Sequence, residues 1–378
     1  MKFIHLSDLH IGRKVNGFSM LEDQAHILGE ILCAVDTEHP DAVLIAGDVY
    51  DKSIPSAEAV QLFDTFLTEL KTRCQHVFVI SGNHDSAERI AFGGRLMEQS
   101  GAHMVPVYNG QTASVTLHDA HGPVHVYMLP YLRPSMVRQA LPEASIESHT
   151  DAYREAIAAM SINPDDRNIL VAHAFVTGAE RSESEDISVG GADNVDASVF
   201  DAFDYVALGH LHRPQNIGSE RIRYCGTPLK YDFSEMSHEK SVTVVELAEK
   251  GTLSVKTVAL KPLRDMRELR GTYMELAARS TYEGTNTTDY LRVTLTDEDD
   301  VPDALNKLRS IYPNIMRLDY DNKRTRATSQ LAISDDVPKL HPATLFAGFY
   351  EQQNGQPMND MQESLLSGLI ERIWEVEA

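Results

Sequence analysis

Five short apolar runs within the first 215 residues end alike, at one or two small residues followed by Asp, Asn or His. The segments are HLSDLH (residues 5–10), LIAGD (44–48), VISGNHD (79–85), LVAH (170–173) and ALGHLH (207–212). Ligand sites in open α/β sheets form beyond the carboxyl ends of the strands, where residues far apart in sequence meet in one crevice. The repeated ending therefore predicts an α/β fold with one polar site rather than five unrelated turns.

Apolar side chains recur at helical spacing between the early strands. They are Ala25, Leu28, Ile31, Leu32 and Val35 in one stretch and Val60, Phe63, Phe66, Leu67 and Leu70 in the next. Strands are predicted at residues 2–6, 42–46, 76–80, 124–129, 168–172, 205–208, 221–225 and 241–247. This alternation predicts a layered α/β fold whose helices cover a sheet with central strands buried on both faces.

The pattern changes after about Pro262, which suggests three parts: 1–262, 263–328 and 329–378. A strand at 290–296, a helix at 302–311 opened by proline and a strand at 314–320 predict a small βαβ unit. Residues 329–342 are typical of a linker. Two short amphipathic helices are predicted beyond it, carrying Leu345, Phe346, Phe349 and Tyr350, and then Met361, Leu365, Leu366, Leu369, Ile370, Ile373 and Trp374.

Charge and cysteine content exclude some classes of protein. The 56 acidic and 34 basic residues leave a net charge of −22, which disfavours a protein that grips nucleic acid with its whole surface. Cys33, Cys74 and Cys225 follow no CxxC spacing, so neither a disulfide framework nor a thiolate zinc site is predicted. No apolar run is long enough for a membrane span, and a strand starts at residue 2. We therefore expect a cytoplasmic protein.

The side chains at the strand ends suit a centre with two metal ions. Carboxylate, amide and imidazole ligands without thiolate favour manganese, iron or zinc. Two cations about 3.5–4 Å apart can clamp the attacking and the leaving oxygen of an in-line phosphoryl displacement. Glycines at positions 47, 82 and 209 would let the backbone approach the ions, and Asp48 is the natural bridging ligand.

Each such residue alone has a commoner explanation, because polar residues at strand ends usually cap turns. Five of the sixteen histidines lie at these junctions, however, and this joint occurrence favours a site. The other histidines, among them His26, His39, His76, His118 and His341, are expected at the surface.

The motifs resemble, in type and order, those of the calcineurin-like metallophosphoesterases, and within them the SbcD family of bacterial nuclease subunits. They are Asp8-x-His10, Gly47-Asp48-x-x-Asp51, Gly82-Asn83-His84-Asp85, His173 and Gly209-His210-x-His212. Residues 204–213 (DYVALGHLHR) and 224–228 (YCGTP) add to the likeness. The resemblance implies a layered sandwich of mixed sheets flanked by helices, with a small α+β capping domain and C-terminal helices.

The same resemblance assigns roles to individual residues. One metal would be held by Asp8, His10, Asp48 and His212, and the other by Asp48, Asn83, His173 and His210. His84 would lie over the scissile phosphate and protonate the leaving oxygen. Asp51 would orient that imidazole; the alternative for Asp51 is a helix-start cap. Two Mn²⁺ ions are expected, with Mg²⁺, Fe or Zn as alternatives.

The resemblance also implies a function and partners. The expected activities are 3′→5′ exonuclease on double-stranded DNA and endonuclease on single strands and hairpins, in DNA end processing, repair and recombination. The partner would be the SbcC ATPase, bound by the C-terminal helices, with a homodimer inside a heterotetramer; the alternative is that these helices fold back onto their own domain.

Two other functions stay open at this stage. A small-molecule or nucleotide phosphodiesterase could use the same fold. A non-catalytic scaffold with a structural metal is disfavoured, because structural metal sites are usually closed, whereas this ligand set leaves room for water and substrate.

Overall fold

Strands and helices alternate along the first 260 residues, as the apolar pattern predicts. The structure is a computed structural model and describes residues 1–90, 94–180, 182, 185, 193–323, 325, 346–351, 357–359 and 361–366. The predicted linker, His341, and Leu369 to Trp374 of the last predicted helix lie outside these residues. Within the described residues, no helix is both long and apolar enough to cross a membrane.

The strands are β1 Lys2–Leu6, β2 Lys14–Val15, β3 Phe18–Ser19, β4 Ala42–Ala46, β5 His76–Ile80, β6 Ala102–Val105, β7 Ala113–Asp119, β8 Gly122–Leu129, β9 Arg167–His173, β10 Phe175–Val176, β11 Asn194–Val195, β12 Tyr205–Gly209, β13 Gln215–Ile217, β14 Ser219–Tyr224, β15 Ser241–Leu247, β16 Leu253–Ala259, β17 Met266–Gly271, β18 Tyr290–Leu295 and β19 Ile315–Tyr320. The helices are α1 Leu21–Glu38, α2 Ala57–Arg73, α3 Ala87–Ile90, α4 Gly94–Glu98, α5 Pro134–Ala140, α6 His149–Ala158, α7 Tyr273–Ala277, α8 Arg279–Tyr282 and α9 Ala304–Arg309. Residues 346–351 and 361–366 are also helical.

Two mixed six-stranded sheets form the main part of the fold. The first has the order β16-β15-β1-β4-β5-β6, in which β1, β4, β5 and β6 are parallel and β15 is antiparallel to β1. The second has the order β13-β14-β12-β9-β8-β7, with β8, β9, β12 and β14 parallel. The carboxyl ends of β1, β4 and β5 therefore lie along one edge of the first sheet, and those of β9 and β12 along one edge of the second.

The two sheets share one apolar layer. Leu44 and Phe78 of the first sheet belong to the same buried cluster as Val126 and Val171 of the second. The alternate side chains of β4, such as Ile45, point the other way and pack with α1 and α2, since successive strand residues face opposite sides. A third cluster fills the space between the second sheet and α5 and α6. The predicted sandwich of mixed sheets flanked by helices is confirmed.

The chain beyond Pro262 adds a small three-stranded sheet in the order β17-β18-β19. Strands β18 and β19 and helix α9 follow the predicted βαβ pattern, although α9 begins at Ala304 rather than at Pro302. Strand β17 was not predicted. By contacts, one compact unit comprises Met1–Arg270, Met274–Val293 and Asp303–Leu318; the other comprises Gly271–Tyr273, Thr294–Pro302 and the described residues from Asp319 onward. The division at residues 262 and 328 stays a prediction.

Candidate metal centre

The loops after β1 and β4 lie side by side and hold their polar side chains in a strained backbone. Asp8 N–H donates to Gly47 O (3.0 Å) and His10 N–H to Asp48 O (3.0 Å). Asp8, His10 and Asp48 have left-handed φ angles of 52°, 45° and 50°, and His210 has a φ of 108°. Such a conformation costs about 1–3 kcal/mol at a non-glycine residue and persists where the surroundings enforce it. The strain is thus concentrated where the sequence predicts ligands.

Glycine is required where the loops touch the ligand side chains. A Cβ added to Gly82 would collide with the Asp48 carboxylate, and one added to Gly209 would collide with the Ala46 carbonyl oxygen and lie 2.8 Å from His173 Nδ1. This geometry agrees with the prediction that the backbone at Gly82 and Gly209 approaches the site closely.

Asp48 lies at the centre of the cluster, as expected of a bridging ligand. Its Oδ2 is 3.7 Å from His10 Nε2, 3.5 Å from His173 Nε2 and 3.9 Å from His84 Nε2. Asp48 belongs to two groups of three possible metal ligands, and the ligand atoms within each group lie within 4.8 Å of one another. One group is Asp48 with His10 and His84, and the other is Asp48 with Asp8 and His173. The side chains of both carboxylates, Asp8 and Asp48, are buried.

The remaining predicted ligands surround this carboxylate. His212 Nε2 is 3.2 Å from His10 Nε2. Asn83 Oδ1 is 2.9 Å from His173 Nε2 and 3.1 Å from His210 Nδ1. Asp8 accepts hydrogen bonds from Ser7 Oγ and from the His210 N–H (3.0 Å). The structure therefore brings all seven predicted ligands together, while their division between two ions stays a prediction.

His84 stands at the open side of the cluster. Its side chain is 26% exposed, and its N–H donates to Asp48 Oδ1 at 3.0 Å. Its Nδ1 lies 3.1 Å from the backbone carbonyl oxygen of Asp51. A ring that donates from Nδ1 to a carbonyl presents Nε2 to the site.

The Asp51 carboxylate has a different position from the one expected. It lies 3.2 Å from Arg13 Nη1 and 3.9 Å from His10 Nδ1, so Asp51 meets the His84 ring through its main chain. Asp51 does not cap α2, because Ser56 does so by accepting from the Ala59 N–H, and the orienting role of Asp51 stays a prediction.

The electrostatics of the cluster fit a cation. Burial would lower the pKa of His173, but the Asp48 charge raises it to about 9. Burial would likewise raise the pKa of Asp48, yet His173 and the other histidines hold it well below its usual range. Burial raises the pKa of Asp8 to about 6 and lowers that of His210 to about 3. Burial lowers the pKa of His10 and of His210, so these two imidazoles stay uncharged beside the buried carboxylates, and a divalent cation would supply positive charge there.

The sequence did not reveal what Asp85 does. Its carboxylate accepts hydrogen bonds from the N–H groups of Gly82 (2.9 Å), Val49 (3.1 Å) and Tyr50 (2.9 Å). It thereby ties the loop that carries Asn83 and His84 to the loop that follows Asp48. Its position at the end of the third motif is the only sequence signal for this role.

Glu235 and His5 were also missed. Glu235, fully buried, lies 3.2 Å from His212 Nδ1 and 2.6 Å from Lys240 Nζ. Burial would raise the pKa of Glu235, but the hydrogen bond with His212 and the charge of Lys240 hold it below its ordinary value. The expectation that histidines outside the motifs are exposed is wrong for His5, which is fully buried between the Tyr205 hydroxyl (2.9 Å) and the Leu208 carbonyl oxygen (3.2 Å).

Comparison with known proteins shows which family the chain belongs to. Residues 1–214 match the calcineurin-like phosphoesterases, and residues 262–354 match the type 5 capsule protein repressor C-terminal domain. The chain is 34% identical to the SbcD subunit of nuclease SbcCD from Staphylococcus saprophyticus over 98% of this chain and 99% of that protein. It is 31% identical to the SbcD subunit of nuclease SbcCD from Staphylococcus epidermidis over the full length of both. A dimetal phosphatase from Danio rerio aligns with a TM-score of 0.41 and 13% identity over 70% of this chain and 98% of that one.

Proposed function

The chain belongs to the calcineurin-like phosphoesterases and, among them, to the family of SbcD nuclease subunits, and on that basis we propose that it is a metal-dependent DNA nuclease that acts with an SbcC-type ATPase. The observation that most supports this is that the seven side chains predicted to bind metal lie together with His84 beyond the ends of the strands. The full-length similarity to nuclease subunits favours DNA over a small phosphodiester, because it includes the chain beyond the phosphoesterase part.

Two divalent cations are proposed at the cluster, and manganese is the metal proposed. Asp8, His10, Asp48 and His212 would hold one, and Asp48, Asn83, His173 and His210 the other. When bound, such ions polarise a phosphate and lower the pKa of a coordinated water. The buried Asp48 carboxylate, 3.5 Å from His173 Nε2 and 3.7 Å from His10 Nε2, and the Asn83 amide oxygen, 2.9 Å from His173 Nε2, support this ligand set.

His84 is proposed to act on the substrate rather than to hold metal. Its ring is reachable from solvent, and the Asp51 carbonyl oxygen fixes Nδ1 as the donor. With Nδ1 donating to that carbonyl oxygen, Nε2 would carry a proton only in the imidazolium form, and in that form the ring would transfer the Nε2 proton to the leaving oxygen and become the neutral imidazole. Asp51 is thus proposed to orient His84 through its backbone.

The proposed partner is an ATPase of the SbcC type, bound by the C-terminal helices. Phe346, Phe349, Met361 and Leu365 are exposed in the described helical segments, with Met361 83% exposed. Deleting residues 342–378 should abolish association with the partner and leave metal-dependent cleavage intact. Unchanged co-purification would contradict this role. A homodimer within a heterotetramer, a cytoplasmic location and the parts 1–262, 263–328 and 329–378 complete the proposal.

The substrate can be tested with a panel of phosphodiesters. Labelled duplex, single-stranded and hairpin DNA would be incubated with the chain and Mn²⁺, with and without the ATPase and ATP, beside cyclic and linear nucleotides. We expect cleavage of DNA, including 3′→5′ digestion of duplex ends, and a change in rate with partner and ATP. Hydrolysis of nucleotides but not of DNA would favour a small-molecule phosphodiesterase.

A further inference from the structure

A buried ion pair lies directly behind the predicted metal ligand His212. Glu235 is fully buried and Lys240 is only 6% exposed. Glu235 Oε1 lies 3.2 Å from His212 Nδ1, and Glu235 Oε2 accepts from Lys240 Nζ at 2.6 Å. Burying two charges rarely adds stability, because the loss of hydration offsets their attraction. A pair in this place therefore calls for a reason other than stability.

The two ring nitrogens of His212 face opposite ways. Nε2 points at the cluster, 3.2 Å from His10 Nε2, while Nδ1 points at Glu235. A carboxylate on Nδ1 fixes the proton there and leaves the lone pair of Nε2 for a metal, and it also makes the ring a stronger ligand.

The same pair holds the main chain of His212. Lys240 Nζ donates to His212 O at 2.9 Å and to Thr227 Oγ1 at 2.7 Å, and the Thr227 N–H donates to His212 O at 3.2 Å. Glu185 accepts from the His212 N–H at 2.6 Å. Lys240 thus connects the backbone of the ligand to the carboxylate that meets its ring, so ring and backbone are fixed relative to each other.

Two other histidines of the cluster, His173 and His10, have no hydrogen-bonded carboxylate at Nδ1 among the described residues. The Nδ1 of His173 meets the Ala46 carbonyl oxygen at 2.8 Å, a neutral acceptor. The Nδ1 of His10 is buried without a hydrogen-bond partner among the described residues, since the Asp51 carboxylate is 3.9 Å away, beyond hydrogen-bond distance. A hydrogen-bonded carboxylate on the far nitrogen therefore distinguishes His212 from these two.

We propose that Glu235, held in place by Lys240, is a positioning residue that orients the His212 ring. It thereby strengthens the binding of one of the two cations by His212. The inference rests on the proposed metal centre. Loss of such an outer partner typically weakens metal affinity about 10- to 100-fold. Only the cation that His212 holds should be affected.

The test is a stepwise Mn²⁺ titration of the apo chain, with the free ion followed by electron paramagnetic resonance. The variants are Glu235→Gln, Lys240→Met, His212→Ala and the double variant His212→Ala with Glu235→Gln. Asp119→Asn is the matched control, because Asp119 pairs with the buried Arg167 at the opposite end of β9, about 20 Å from the cluster. Urea unfolding of each apo variant separates loss of fold from loss of metal.

Glu235→Gln should weaken one binding step about 10- to 100-fold and leave the other unchanged. Lys240→Met should weaken the same step, Asp119→Asn neither step, and the double variant should bind no more weakly than His212→Ala alone. Unchanged binding by Glu235→Gln, an equal loss at both steps that scales with its loss of unfolding stability, or a further loss in the double variant would each overturn the inference. A parent chain that binds no cation would remove the proposed centre itself, which is a distinct result.

Discussion

The Asp85 carboxylate joins the two loops that carry the centre, so its removal should cost both stability and activity. It accepts three backbone hydrogen bonds, one at Oδ1 from Tyr50 and two at Oδ2 from Val49 and Gly82. The residues that donate these bonds are buried. In Asp85→Ala their N–H groups lose a charged acceptor, and the loop that carries His84 is released.

The size of the effect follows from these contacts. A hydrogen bond to a charged group contributes about 1.5–3 kcal/mol net. The Asp85 side chain is partly exposed, so water can reach some of the freed groups, and the lower end of that range applies. We expect Asp85→Ala to lower the free energy of unfolding by about 3–5 kcal/mol, a large part of the about 5–15 kcal/mol of a typical domain. Asp85→Asn keeps one acceptor oxygen and should lose about half as much.

Urea unfolding of the apo chain measures the free energy of unfolding, and the rate of DNA cleavage with bound Mn²⁺ measures the activity of the site. The exposed carboxylate of Asp299 provides the control, and Asp299→Ala should change the free energy of unfolding by less than about 0.5 kcal/mol. If Asp85→Ala were as stable and as active as Asp299→Ala, the three hydrogen bonds would not hold the loops as described.

Three further predictions concern single positions. Gly82→Ala should lose bound metal and activity, since its Cβ would collide with the Asp48 carboxylate; a metal-loaded, active variant would contradict this. Asp51→Asn should stay within about tenfold of the parent rate in single-turnover cleavage, because the backbone oxygen of Asp51 contacts His84, whereas His84→Ala should lose about 10²- to 10⁴-fold; equal losses would contradict the backbone contact. The hydrogen bond from Arg167 lowers the pKa of Asp119, so its stabilisation is complete above about pH 5 and is lost as the pH falls through the folded-state value. The difference in unfolding free energy between the parent and Asp119→Asn should therefore shrink between about pH 7 and about pH 3, and a difference that grows would be incompatible with this pair.

Four strands of the first sheet could be predicted from the sequence to the residue, and β8, β9 and β12 of the second sheet to within two residues at each end. β1, β4, β5 and β15 have the bounds predicted for them, because central strands form unbroken apolar runs. The edge strands β7 and β16 were not predicted, since several of their side chains face water and weaken the apolar signal. Val60, expected among the packed apolar side chains of α2, is in fact exposed.

The residues of the candidate site that lie at strand ends could be predicted from the sequence. Parallel strands bring those ends together, which is why the ligands and His84 meet in the structure. Glu235 and Lys240 had no such signal, because their contacts with His212 join residues 23 and 28 positions apart through tertiary packing. The contact between the Asp51 backbone oxygen and His84 could not be predicted either. The sequence shows that residue 51 has a carboxylate, but not whether its side-chain or its backbone oxygen contacts His84.

The central claim is that the cluster holds two metals for DNA cleavage and that His84 acts on the substrate without holding metal. The most direct measurement determines bound Mn²⁺ and the single-turnover cleavage of labelled duplex DNA for the parent, His84→Ala and Asp48→Asn. The account predicts two ions in the parent and in His84→Ala, a cleavage rate about 10²- to 10⁴-fold lower in His84→Ala, and loss of both metal and activity in Asp48→Asn. Parental activity in His84→Ala, or cleavage by a metal-free parent chain, would contradict it.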